Sequence, residues 1–399
     1  TNLPITLPEA LVRRLFAPDG TLRGSVTKFE QYRSCPFAYY SRYGLGLEER
    51  PRYQFAAPDL GMLVHGALRI IGEKLLREQK QWHDIPDSEV PAICRRATDE
   101  LAPQVQHDIL MSNAYFAQIK ERLIQTLTRT VRRLSAFSAV SDFHMEGLEK
   151  SFGRPGSPWE ALRFTLKNGL HVVVTGQIDR IDTLRQGDHK YVVIIDYKSG
   201  RKQLDISQIF TGLELQLLTY MFVALLNIGG DAIPAAVLYC YVRNDRVSLE
   251  YRVSDEDKKK LYESKGKLTG FYLDDGQVMQ QLDTSMQGFS DFLNLRLKKD
   301  GTLSDASHTL YNEAGWSHLL DWAARQIEDI AGHIGDGDIS IHPVLLGQKA
   351  PCSYCPYRPV CRFDVAMAGN TYDAAGREDK DDMIRKMFDE GDDEHGLDK

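Results

Sequence analysis

Two groups of residues in this chain of 399 have types and spacings that could do chemistry. The first is Gly176-Gln-Ile-Asp179-Arg180-Ile-Asp182, followed after a hydrophobic run by Asp196-Tyr197-Lys198-Ser199-Gly200. Side chains alternate across a strand, so Asp196 and Lys198 share one face. An acidic residue beside an Asp-x-Lys strand suits metal-dependent cleavage of a phosphodiester. That reaction needs a cation on the scissile phosphate, an activated water, and neutralised charge on the leaving oxygen. Mg²⁺ takes oxygen ligands: one or two carboxylates, waters and substrate phosphate. Asp179 and Asp196 would supply the carboxylates, with the Tyr197 carbonyl as a further ligand. Lys198 would orient the water or steady the phosphate. His65 could reach the same cation, a use of imidazole common with Mn²⁺. Gln216 and Tyr220 are four apart, share a helix face, and could touch the nucleophile or a phosphate. Arg180, Arg201 and Lys202 flank the acidic strands and are expected to track a nucleic-acid backbone.

The second group is cysteine. Cys35 lies near the start, and Cys352-Ser-Tyr-Cys355-Pro-Tyr-Arg-Pro-Val-Cys361 near the end. The last three are spaced so that their thiolates can converge, and four thiolates would fill an iron–sulfur cluster or a structural zinc site. Thiolate count does not choose between them. With more than 300 positions between Cys35 and Cys352, such a centre would clamp the two ends of the chain together. Cys94 and Cys240 read as ordinary buried thiols.

Each residue also has a plain reading. An isolated Asp-x-Lys pair on a strand is usually a surface ion pair, and Asp179-Arg180 a strand-end salt bridge. A lone His65 is more often a satisfied histidine than a ligand. Glu149 and Glu214 are near enough to be spare carboxylates but are expected to be solvated, and Asp182 to continue the turn after its strand.

The elements that must position these residues follow from periodicity. Thr27-x-x-Glu30 predicts a capping box opening a helix, and Pro36 favours a break at Cys35. Asp59 is expected to cap a helix over 60–79, followed by a mostly helical insertion over about 80–140. Strands are predicted at 148–152, 161–166, 170–181 and 191–197, with Lys167-Asn-Gly169 as a hairpin turn. A helix over 213–226, strands at 236–242 and 247–253, and helices over 255–269 and 315–332 come next. This order predicts an α/β core, a mixed sheet with helices on both faces. Residues 1–24, with one short helical patch around 9–16, read as a linker or the end of a preceding domain, 25–364 as the functional domain, and 365–399 as a charged tail, mobile or weakly helical.

A 42% hydrophobic and 26% charged composition excludes a fibrous or disordered chain. No run approaches the about 18 apolar residues of a membrane span, and no basic-then-apolar leader precedes the start. The chain begins without Met and is expected to be part of a longer protein. The net charge of −7 is concentrated: residues 378–399 hold ten acidic and four basic side chains. The body is therefore near neutral and can hold a local basic groove.

Together these residues resemble the RecB-like branch of the PD-(D/E)xK nucleases. The matching blocks are Gly61-x3-His65, Gly176-x2-Asp179-Arg180-x-Asp182, Asp196-Tyr197-Lys198-Ser199-Gly200 and Gln216-x3-Tyr220. Ser199 stands where the family usually has Thr. The resemblance implies a restriction-endonuclease-like mixed sheet flanked by helices, with His65, Asp179, Asp196 and Lys198 in a Mg²⁺-dependent active site. Ser25 to Phe37, with Cys352, Cys355 and Cys361, is similar to the subset that holds a [4Fe–4S] cluster joining the termini. Over about 25–364 the chain resembles the nuclease domains of the AddAB family of bacterial helicase–nucleases. That likeness implies an AddA helicase–nuclease partner, a further part of an AddB-type chain, single-stranded DNA as substrate with cutting of the 5′-terminated strand, and a cytoplasmic location. A DNA-binding or assembly module without catalysis, and a redox sensor, are the competing readings.

Overall fold

A computed structural model describes residues 4–50, 55, 57–105, 108–200, 202, 204–242, 266–304, 308–376 and 378–389. The predicted strand at 247–253 and most of the helix over 255–269 lie outside them, and Thr269 itself opens a strand.

The long strand β4 (His171–Gln186) organises the sheet, which has eight strands among the described residues. Its first half is flanked by β1 (Thr21–Ser25), parallel to it, and β3 (Arg163–Thr165), antiparallel to it. Its second half pairs antiparallel with β2 (His144–Phe152) and with β5 (His189–Lys198). Beyond β5 come β6 (Ala232–Tyr241), parallel to β5, then β7 (Thr269–Leu273) and β8 (Leu310–Tyr311). The Lys167–Gly169 turn joins β3 to β4, with Gly169 supplying the positive φ of 78° that such a turn favours.

β5 and β6 are continuous apolar runs, and Val192–Ile195 and Ala235–Tyr239 are fully buried. Strands covered on both faces read this way. Helices flank the sheet. They are α1 (Glu9–Phe16), α2 (Val26–Ser34), the short α3 (Pro36–Tyr39), α4 (Ala57–Arg77), α5 (Val90–Leu101) and α6 (Ala114–Ala139). Later in the chain come α7 (Ile206–Phe210), α8 (Gln216–Ile228), α9 (Gly276–Leu282), α10 (Glu313–Gly335), α11 (Arg358–Cys361) and α12 (Lys380–Asp389). The layer α4–α6 is the expected helical insertion, and α4 packs on β2. α8 lies against β5 and β6 with α10 behind it. Among the described residues no helix is long and apolar enough to cross a membrane.

Three boundary expectations are corrected. Residues 21–24 are not linker but form a sheet strand with Ser25, in register from Thr21↔His171 to Ser25↔Thr175. The helix expected from Leu60 starts earlier, at Ala57, so Asp59 sits in its first turn. The tail is helical over Lys380–Asp389, as one of its two expectations had it, but docked rather than mobile as far as it is described. Asp373–Ala375 pairs with Val344–Leu346, and α12 buries Met383 and Met387 completely.

Candidate active site

The register of β4 against β5 pairs Arg180 with Ile195, which sets Asp179 beside Asp196. The two carboxylates therefore share a face. Asp179 Oδ2 accepts from the Tyr197 backbone N–H at 2.8 Å and lies 3.3 Å from Nδ1 of His65, delivered by α4. Next along β5, Lys198 Nζ sits 2.6 Å from Asp196 Oδ2. That oxygen is buried and accepts no well-aligned hydrogen bond, even from this close ammonium.

Gln216, the first residue of α8, ties the group together. Its amide N–H₂ donates to Asp196 Oδ1 at 3.1 Å and to the Tyr220 hydroxyl at 2.9 Å, while its Oε1 accepts from Lys198 at 3.1 Å. All of its side-chain polar atoms are used, which fixes the amide's orientation. Gly176 allows the close approach behind this cluster, since a Cβ there would fall 2.4 Å from the Phe152 ring. The site opens outward at His65 and Lys198, whose side chains are 31% and 22% exposed, while Asp196 is sealed below them at 3%.

The electrostatics are those of carboxylates held together against their repulsion. Burial, then the Asp179 charge, pushes Asp196 up to about 6 despite Lys198. Burial pulls the His65 imidazole down, but the contact with Asp179 and the Asp196 charge more than offset it, so it binds a proton more tightly than usual. Burial and the Asp196 charge keep the Tyr220 hydroxyl protonated.

Of the two readings of Glu149, spare carboxylate or solvated side chain, the structure fits the first. Leu148 pairs with Arg180 and Lys150 with Ile178, which places Glu149 across from Asp179. Gln177 donates to Glu149, and burial followed by the Asp179 charge lifts it to about 7. It is not the solvated side chain expected. The signal lay in the pairing of β2 with β4, which a single sequence does not display.

Four further expectations are corrected. Arg180 is not a surface cation. Its guanidinium is 2% exposed, donates to both Asp182 oxygens at 2.7 and 2.6 Å, and lies over Trp82. Asp182 is a buried strand residue rather than a turn. Glu214 is 1% exposed, accepts from Tyr239, and pairs with Lys202 Nζ at 2.7 Å. Lys202 is thus committed to a carboxylate instead of facing a backbone. Arg201 lies outside the described residues.

At the other end of the chain all four cysteines line one cavity of about 320 Å³. Cys35 with its neighbours Phe37 and Ala38, and Cys352, Cys355 and Cys361 from the other end of the chain, are among its lining residues. All four are free thiols. Burial raises Cys35 to about 11, opposed by backbone N–H groups of Ala38, His342 and Phe37 aimed at its sulfur. Burial, then the charges of Cys355 and Cys361, also raises Cys352. Four thiols on one cavity with main-chain N–H groups directed at Cys35 are a donor set that an iron–sulfur cluster or a zinc ion could use. Among the described residues no three His, Cys, Asp or Glu side chains have converged on a single point. The cysteines surround a space, and the carboxylates are drawn instead to His65 and Lys198.

A mixed sheet with an acidic pair and an Asp-x-Lys strand at one site defines a restriction-endonuclease-like nuclease fold. The chain belongs to the PD-(D/E)XK nuclease superfamily, whose family model matches residues 23–362. It is similar to an ATP-dependent helicase/deoxyribonuclease component of Listeria monocytogenes, at 33% identity over 96% of this chain and 33% of that relative. The protein of the same name from Bacillus subtilis is 33% identical over 92% of this chain and 32% of its own length. That from Moorella thermoacetica is 36% identical over 89% and 31%. The chain thus spans about a third of the length of these relatives.

Proposed function

We propose that this chain is the metal-dependent DNA nuclease domain of an AddB-type helicase–nuclease protein, hydrolysing phosphodiesters in single-stranded DNA. What carries this reading is the joining of Asp179, Asp196, Lys198 and Gln216 on one partly open face. Lost or scrambled nuclease sites would not keep a buried carboxylate pair, whose repulsion costs stability unless a cation offsets it. The donor set fits Mg²⁺, with Mn²⁺ as a substitute: Asp179, Asp196 and the Tyr197 carbonyl as oxygen ligands, and His65 as the nitrogen ligand.

A bound divalent cation polarises the scissile phosphate and lowers the pKa of an attacking water. The protein's own groups do the rest. Lys198 presents an ammonium beside the carboxylates, where it steadies the phosphate and orients the water. Gln216 holds Lys198 and Asp196 at a fixed separation, so neither reorganises during the reaction. Tyr220, protonated, supports the Gln216 amide. His65 closes the outer side of Asp179 and keeps its carboxylate turned inward.

Cys35, Cys352, Cys355 and Cys361 would hold a [4Fe–4S] cluster, whose role is to cross-link the chain's ends. A link spanning so long a loop removes unfolded-state entropy on the order of 5 kcal/mol. Cutting of the 5′-terminated strand during double-strand-break processing, an AddA partner and a cytoplasmic setting belong to the same proposal; the relatives' names support a helicase/deoxyribonuclease subunit, and the family resemblance implies the rest.

The test uses single-stranded DNA, the native protein and its Asp196→Ala variant, with Mg²⁺ and with EDTA. Cutting by wild type that is lost in the variant and in EDTA supports the proposal. Intact DNA after incubation with wild type and Mg²⁺ replaces it with a DNA-binding module.

A further inference from the structure

We propose that Glu30 is a positioning residue for the nuclease centre: from the helix that leads into Cys35, its carboxylate holds the start of α8 and thereby the Gln216 amide. The inference rests on the nuclease reading and adds to it a physical link between the cysteine cavity and the catalytic carboxylates.

The first N–H groups of any helix need acceptors from outside it. α8 supplies none of its own, because the apolar Leu215 occupies its N-cap position and makes no side-chain cap. Glu30 fills that need from 185 residues away, its Oε1 accepting from Leu215 N at 2.7 Å and from Gln216 N at 3.1 Å. A carboxylate there also meets the positive end of the helix dipole. The Thr27-x-x-Glu30 pattern predicts a local capping box. Instead α2 starts at Val26 behind Ser25, and no side chain caps it. The carboxylate that a local box would have used is spent on another helix.

Two consequences follow from the placement. Gln216 is the residue whose side chain reaches Asp196, Lys198 and Tyr220, so the main-chain position that Glu30 fixes sets where those contacts fall. Lys202 and Glu214 surround Glu30, and Lys202 offsets the repulsion between the two glutamates. The other consequence concerns α2, which ends at Ser34, immediately before Cys35. Cys35 lines the cysteine cavity while Glu30, on the same helix, caps α8. Whatever seats Cys35 therefore also seats Gln216.

The experiment compares Glu30→Ala and Glu30→Gln in the intact native protein. Gln keeps an acceptor oxygen for both N–H groups, and Ala keeps none. A misplacement of about 1 Å at a catalytic group costs on the order of 10²-fold in rate. Turnover of single-stranded DNA by Glu30→Ala is expected to fall by about 10- to 100-fold, with KM for DNA changed less than about twofold. Glu30→Gln is expected to recover to within about threefold of wild type. Amide hydrogen exchange at Leu215 and Gln216 should quicken in Glu30→Ala and not in Glu30→Gln. If Glu30→Ala does not fold, Glu30→Met, with a similar stem and no oxygen acceptor, takes its place. Wild-type turnover in the variant without an acceptor, equal slowing in both variants, or unchanged exchange overturns the proposal. A wild-type protein that leaves DNA intact sinks the nuclease reading instead, and the exchange measurement still decides whether Glu30 holds α8.

Discussion

The carboxylate site and the cysteine cavity gather groups of one kind in opposite ways. The carboxylate site is built from neighbouring strands in fixed register, and protein groups already answer its charges: Lys198, His65 and the Gln216 amide. The cysteine cavity is built from segments more than 300 positions apart; backbone N–H groups of Ala38, His342 and Phe37 answer Cys35, and Arg358 with Tyr372 answers Cys352. The first site is a product of the fold. In the proposed reading a centre in the second would add a cross-link to segments that the Tyr32–Asp338 and Phe37–Ser340 hydrogen bonds already bring together.

That contrast predicts where each kind of damage will register. Cys352→Ala should remove the cross-link and lower stability by about 5 kcal/mol, read as a large drop in the urea midpoint. An unchanged midpoint would mean that the cavity holds no structural centre. Purified anaerobically, the wild-type protein should be brown with absorbance near ~400 nm, whereas a colourless protein with stoichiometric zinc would reassign the centre.

Lys198→Ala should do the reverse. Its expected loss is about 10³-fold in turnover, about 4 kcal/mol of transition-state stabilisation, with a smaller fall in stability than the cysteine change, because Lys198 is partly exposed and Asp196, already raised to about 6, can take up a proton. If this substitution unfolds the protein as the cysteine change does, the two regions are not distinct in the way described.

A third change separates the catalytic face of β4 from its back. Arg180→Ala leaves Asp182 buried and uncompensated, which costs about 3–5 kcal/mol of stability. The salt dependence of DNA binding should stay the same, because this guanidinium touches no solvent. A reduced salt slope would restore it as a phosphate contact.

The smallest effect is on pH. Asp196 at about 6, and Glu30 and Glu149 at about 7, all lie above their ordinary values of 3.8 and 4.5. Raised acids bind protons more tightly folded than unfolded. Their contribution is full below about pH 4 and is lost as pH rises through about 6 to 7. Without divalent cation the melting temperature should therefore drift down by a few degrees from pH 5.5 to 8, and Mg²⁺ should reverse the drift at the upper end. A rise with pH in EDTA would contradict the repulsion described here.

How much of this was legible in the sequence depended on distance. Asp196-x-Lys198 and Gln216-x3-Tyr220 could be read because each pair is local and its period, two or four, fixes a shared face. The cysteine pattern could be read because ligand chemistry demands its residue types. Arg180 was misread although a signal was present: strand parity puts it on the face opposite Asp179, together with Asp182. What parity could not supply was Trp82, brought over that face from the helical layer. Glu149 and Glu30 were out of reach for another reason. Their partners are set by strand register and helix packing, and the local capping pattern at Glu30 pointed the wrong way. The docking of β1 and α12 was hidden likewise, since short segments with few apolar residues gain their structure from what they pack against.

The most direct measurement is the position of Mn²⁺ in crystals of the native protein, read from its anomalous scattering. The account predicts one strong peak within about 2.4 Å of carboxylate oxygens from both Asp179 and Asp196, with Lys198 beside it and not among its ligands. A peak elsewhere, or none at saturating Mn²⁺, would contradict it.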